Sequence, residues 1–231
     1  MSLTFASLAA DLRALVPGVE TDVGVNDAAE RAVGQALNIY SRLNPRVQIA
    51  VITGDGSTRL FAMPADYQPP FSKVLSIEYP YGNFPPSFLT ASDFRIYLDV
   101  DENGIESYKI LFTSIPATDQ VARVQYTSLH VLSGYESSEL TTIPTPHWSA
   151  FLYLSAYCLA NFAVGYYGST TRSTLNADIV NYRTKADEWR AIATHFYTSF
   201  KAAMGLRADD VVPSAVVLAS LTRDPKAFWR S

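Results

Sequence analysis

The sequence predicts an α+β protein: a small helical bundle, an antiparallel β-sandwich or barrel-like domain inserted into it, and an extended C-terminal tail. Three observations predict this. Residues 148–167, WSAFLYLSAYCLANFAVGYY, contain no charged side chain, and twenty such residues make about 30 Å of helix that is apolar all round. Apolar residues recur at helical spacing before residue 45 and again after residue 175. Between these stretches the period changes to the alternation of strands, broken by Pro, Gly and Asp. Residues 1–45 and 140–205 are therefore the helical bundle, 46–139 the inserted β domain, and 206–231 the tail.

The first helix is expected over residues 3–15, where Phe5, Leu8, Leu12 and Leu15 share a face and Pro17-Gly18 ends the segment. After a linker, GVETDVG, a second helix is expected from Asp27 to Leu43. Asp27 and Glu30 have the spacing of a capping box, and Ala29, Val33, Ala36, Leu37, Tyr40 and Leu43 form its stripe. Asn44-Pro45 stops it, because a residue before proline is pushed out of helical geometry. VQIAVITGDGSTRLFAM then reads as a hairpin around Gly54-Asp55-Gly56. Further strands are expected at 74–79, 94–100, 108–113 and 121–127, with PADYQPPF and PYGNFPPSF as proline-fixed loops.

TTIPTP marks the return to helix. The apolar helix is expected to end between Gly165 and Gly168, with Thr174 or Asn176 capping the next. That last helix runs to about Met204, with Leu175, Ile179, Tyr182, Ala186, Trp189, Ala193, Phe196, Tyr197 and Phe200 close to one face. Gly205 suits its C-terminal stop.

Length and lack of charge would let residues 148–167 cross a membrane. Ser149, Ser155, Asn161 and four tyrosines, with no flanking Lys/Arg cluster, instead favour a helix buried by protein. A helix apolar on every side needs many neighbours, which points to an oligomer. Charged residues make up only 17% of the chain and mean hydropathy is +0.05, lean in surface charge for a monomer. A net charge of −4 and a pI near 5.3 argue against general nucleic-acid binding. Six Lys/Arg and eleven Asp/Glu fall between Arg46 and Thr142, so the β region carries the acidity. The N-terminus shows no secretory signal pattern. Cys158, the single cysteine, reads as a small buried hydrophobe.

Catalytic chemistry is sparse. The chain has no Gly-rich phosphate loop, HExxH or GxSxG, and His130, His147 and His195 lack ligand spacing. Asp99-Val-Asp101-Glu102-Asn103-Gly104 matches the first half of a calcium loop, but Ile110 stands where the bidentate Glu belongs. An Asn-Gly hairpin turn accounts for the same residues. The chain reads as a non-enzyme, with no cofactor and no metal site.

Several segments resemble head–tail adaptor (connector) proteins of tailed bacteriophages. They are DAAERAVGQALNIYSRLNPR, IEYPYGNFPPSFL, YTSLH, TTIPTPHWSAFLYLSAYCLA and YRTKADEWR, spread over roughly residues 26–204. The resemblance implies a structural virion protein at the capsid vertex or neck, made in the host cytoplasm. It implies a homo-oligomeric ring, typically dodecameric, that joins the portal protein to the next neck or tail protein. Genomic DNA would pass through its channel without specific binding, which an acidic lining would suit. The β insert is larger than in the smallest members of that group.

The tail is apolar and carries aromatic residues near its end, as expected of a segment ordered on a partner. Leu206, Val211, Val212, Val216, Val217, Leu218, Phe228 and Trp229 are the expected portal-binding positions. Three other readings remain. One is a virion or cell-surface binding module whose β domain recognises protein or carbohydrate through PYGNFPPSF. The others are a membrane-associated protein and a hydrolase with a histidine beside a carboxylate.

Overall fold

The computed structural model describes residues 4–17, 27–100, 103–104, 106–169 and 176–206, and for 176–184 the backbone alone. The protein mixes helices with two three-stranded antiparallel sheets. It divides into two compact units: the helices with the segment that starts at His130, and Pro45–Leu129.

In the helical unit, α1 spans Phe5–Leu15 and α2 Ala28–Leu43. A 3₁₀ turn at Thr145–His147 leads into α3, Trp148–Ser169, and α4 spans Asn176–Ala203. Thr4 caps α1 in a capping box with Ser7, each side chain accepting from the other's backbone N–H. The box expected at Asp27 and Glu30 does not form, since the Asp27 side chain makes no capping hydrogen bond. A Schellman closure ends α4. Gly205 has a φ of +70°, its N–H donates to Ala202 O at 3.0 Å, and the Leu206 N–H donates to Lys201 O at 2.9 Å.

The core of this unit is built around α3. Ala150, Phe151, Leu154, Ala156, Cys158, Leu159, Ala160 and Ala163 are buried against α1, α2 and α4. By length and composition α3 could cross a membrane, yet half of its most apolar stretch is buried inside the protein. Two of its polar side chains bond within the helix: Ser155 Oγ donates to Phe151 O at 2.9 Å and Asn161 Nδ2 to Tyr157 O at 3.0 Å. The chain's own helices thus cover about half of that stretch. On α4, Ala186, Ala193, Phe196 and Phe200 are buried with Trp189 and Tyr197 against them, which is the predicted face.

The β unit contains β1 (Arg46–Thr53), β2 (Leu60–Ala62), β3 (Val74–Glu78), β4 (Phe94–Val100), β5 (Glu106–Phe112) and β6 (Val121–Ser128). The sheets have the orders β1-β6-β3 and β2-β5-β4. Both are open, so the barrel form of the expectation is not realised. One cluster of buried residues takes side chains from both sheets: Ile52, Ile77, Ala122, Val124 and Tyr126 from one, Ile110 and Phe112 from the other. Tyr67 lies between them, its ring 6.0 Å from Tyr108 and 5.9 Å from Tyr126. The first and last strands pair over their whole length, Arg46 opposite Ser128. Entry to and exit from the unit are therefore side by side.

Two expectations are corrected here. Gly54-Asp55-Gly56 is not a hairpin, because β1 and β2 belong to different sheets. The Asp55 carboxylate accepts from Ser57 N at 2.8 Å and Thr58 N at 2.7 Å, and these donors hold its carboxyl well below the usual range. The local turn chemistry was real, but it makes a corner between sheets. The β domain also stops at Leu129 rather than residue 139. Leu132 and Ile143 are buried in the helical core, and that burial assigns their segment to the helices.

Candidate interaction surfaces

The histidines come first, since they are the usual carriers of chemistry. His195 is exposed on α4, whereas His130 and His147 flank Tyr40 at the end of α2. Tyr40 is fully buried, and burial pushes its hydroxyl pKa up. The phenol oxygen lies 2.7 Å from His147 Nδ1, and Asn44 Nδ2 donates to it at 2.9 Å. His130 Nε2 lies 2.8 Å from Asn44 O, and its backbone N–H donates to Ser41 Oγ at 3.0 Å. This network ties the end of α2 to the chain returning from the β unit. The bonds of His147 to Tyr40 and of His130 to Ser41 and Asn44 join segments distant in sequence, and the Asn44–Tyr40 bond braces the end of α2 itself. Tyr40→Phe leaves His147 Nδ1 and the Asn44 amide short of a partner. It is expected to cost about 1–2 kcal/mol in denaturant unfolding followed by tryptophan fluorescence.

Among the described residues, no three His, Cys, Asp or Glu side chains come together as metal ligands. Asp99, first residue of the calcium-like run, lies on β4 and forms an ion pair with Lys109, and Gly104 turns the β4–β5 hairpin with a φ of +78°. Asp101 and Glu102 lie outside the described residues. Cys158 is 1% exposed, and burial pushes its thiol up to about 12, which leaves it an unreactive thiol at neutral pH.

The outer surface of the β unit carries features of another kind. Along β1 the side chains alternate, and Val47, Ile49 and Val51 point out, 46%, 47% and 64% exposed. Beside them on β6 stand Thr127, Gln125 and Arg123, and next to those on β3 are Ser76 and Glu78. One face therefore passes from an apolar row at the β1 edge to a polar strip across β6 and β3.

The loop after β3 adds aromatic side chains. Its base is fastened by Tyr79 N to Ser87 O at 2.9 Å, Leu89 N to Ile77 O at 2.8 Å and Tyr81 N to Val121 O at 2.7 Å. At the outside of this loop Phe84 is 98% exposed and Phe88 58%. Ser76, Glu78, Phe88, Arg123 and Gln125 line an open groove. The Arg123 guanidinium lies 5.4 Å from the centre of the Tyr81 ring and 3.9 Å from the Glu78 carboxylate. Chemically, this surface can stack on a planar or apolar group and hydrogen-bond beside it. It offers no nucleophile paired with a base.

Of the predicted portal-binding residues, Leu206 is half-buried just past α4. Val211, Val212, Val216, Val217, Leu218, Phe228 and Trp229 lie outside the described residues. Sequence reasoning overlooked the outward row on β1, although VQIAVIT is apolar at both parities, the mark of a strand covered on both faces. Comparison with protein families finds no family model that matches the chain, and comparison with curated proteins finds no match.

Proposed function

We propose that this protein is a structural adaptor of a tailed-phage virion, a ring that joins the portal to the neck or tail and leaves a passage for DNA. The observation that supports it best is the quantity of apolar and aromatic side chain on the outside of the β unit. Val47, Ile49, Val51, Phe84 and Phe88 are exposed although the unit has its own filled core. Such patches mark contact with other proteins. In this reading the helices form a bundle around α3 and the two sheets pack as a sandwich. The subunits close a ring through a heterologous interface, and the tail from Leu206 to Trp229 holds the portal.

Light scattering tests it, on the purified chain alone and mixed with DNA-filled, tailless capsids. Ring-sized mass, or recruitment to the capsid vertex, is the expected result. A variant lacking residues 206–231 should keep its tryptophan-monitored unfolding and lose capsid binding. A stable monomer that ignores capsids overturns the reading.

In that event a binding module of the virion or cell surface takes its place, and Phe84 favours it specifically. The loop is not the packed turn that its prolines suggested, and polar groups line the groove beside it.

A further inference from the structure

Two rows of side chains cross the outer face of the sheet β1-β6-β3. Arg123 stands opposite Glu78 and Glu78 opposite Phe88, and residues directly opposite share a face. One row therefore runs Arg123, Glu78, Phe88, and beside it Gln125 stands opposite Ser76. These five residues line the groove. Its aromatic wall is Phe88, 58% exposed, and its polar floor holds one charge of each sign, 3.9 Å apart. The Tyr81 ring backs the Arg123 guanidinium. Ser76 Oγ donates to Gln125 Oε1 at 3.0 Å, which leaves the NH2 group as the donor end of that amide.

Each feature narrows the occupant. An anion would meet the Glu78 carboxylate and a cation the Arg123 guanidinium, so the complementary ligand is neutral. A purely apolar partner would cut Glu78, Arg123 and Gln125 off from water without replacing its hydrogen bonds. A peptide cannot add to β3 as a strand here, because Tyr79 N bonds to Ser87 O and Leu89 N to Ile77 O, and strand addition needs a bare edge. A sugar ring meets all three conditions: it is neutral, its C–H bonds give it an apolar face, and its hydroxyls both donate and accept. We propose that the groove holds a neutral saccharide, one ring flat against Phe88 with its hydroxyls on Glu78, Arg123 and Gln125. This rests on the binding-module reading of the β unit, whose ligand class it names, and a ring subunit can carry the same groove.

Titration of the full chain with neutral hexasaccharides of glucose, mannose, galactose and N-acetylglucosamine tests it, followed by NMR of the Arg123 and Gln125 amides. At least one is expected to bind with a Kd on the order of 1 mM. Phe88→Ala and Gln125→Ala should each weaken it about tenfold, through a lost ring contact and a lost hydrogen bond. The Gly54 N–H donates to Gln120 O, and in that register the Ala50 and Ile52 amides bond to β6. Their slow hydrogen exchange therefore reports that each variant remains folded. Binding that neither substitution weakens overturns the proposal, as does tighter binding of a sulfated hexasaccharide. No binding by any neutral sugar overturns it while leaving the module reading in place, provided that Phe88→Ala does not change the mass by light scattering. A fall in mass in that variant, with no sugar bound, removes the module reading as well, because the loop is then a contact between subunits.

Discussion

Phe151→Ala is expected to destabilise the helical unit by about 3–5 kcal/mol, the range for removing a fully buried aromatic side chain. Phe151 is 0% exposed in the central helix of its core. Its ring meets Tyr40 edge-on, with centroids 5.7 Å apart, and lies 6.3 Å from Trp148. The substitution would remove both ring contacts and leave a cavity lined by α3 and α2, which rigid helices fill only in part. Total stabilities are about 5–15 kcal/mol, so the variant would stand close to unfolding at 37 °C. Trp148 and Trp189 pack on this same core, and their fluorescence in a urea titration gives the measurement. Phe151→Leu, nearer in volume, should lose less than about 1.5 kcal/mol. If the alanine variant lost no more than the leucine one, Phe151 would not be the packed centre of the core.

Gly54→Ala is expected to destabilise the β unit by about 1–3 kcal/mol or more. Gly54 is buried at the corner where the chain leaves β1 for the other sheet. Its N–H donates to Gln120 O at 2.7 Å, and its carbonyl accepts from Asp119 N at 3.0 Å. A Cβ there would lie 2.4 Å from Ala117 O, 2.9 Å from Pro116 O and 2.8 Å from Pro116 Cβ. Two of these are backbone atoms that cannot turn aside as a flexible side chain would. Relief requires the 116–120 segment to move, and with it the start of β6. Exchange of the Ala50 and Ile52 amides reads the effect, because both depend on β6. Wild-type protection in the alanine variant would show that the 116–120 segment yields without cost.

Among the described residues, helical spacing located α1, α2 and α4, while α3 was legible as a charge-free run long enough for a helix. The face of α4 through Ala186, Ala193, Phe196 and Phe200 follows from that spacing alone. The strands were legible in the same way, and Gly205 signalled the end of α4 because positive φ is cheap for glycine. The candidate surface was legible in half: PYGNFPPSF announced a loop with aromatic residues, but not that Phe84 stands almost wholly in solvent. Composition cannot distinguish a packed aromatic from an exposed one, since the difference lies in what the rest of the chain brings to its side.

Partnership was beyond the sequence for a related reason. The Asp55 turn is encoded by its immediate neighbours and forms as they dictate. Whether β1 then pairs with β2 or with β6, far along the chain, is decided by which apolar faces can be buried together. The same contest placed Leu132 and Ile143 in the helical core and left the expected Asp27 cap without its hydrogen bond. It also decided how much of α3 the chain's own helices cover, where composition suggested that other copies cover part of it. The sequence by itself determined where this chain is helical, where it is extended and where it turns, because those preferences act over a few residues. Only the tertiary structure decided which strands meet, which histidines flank Tyr40 and which apolar rows stay uncovered, because burial depends on residues distant in sequence.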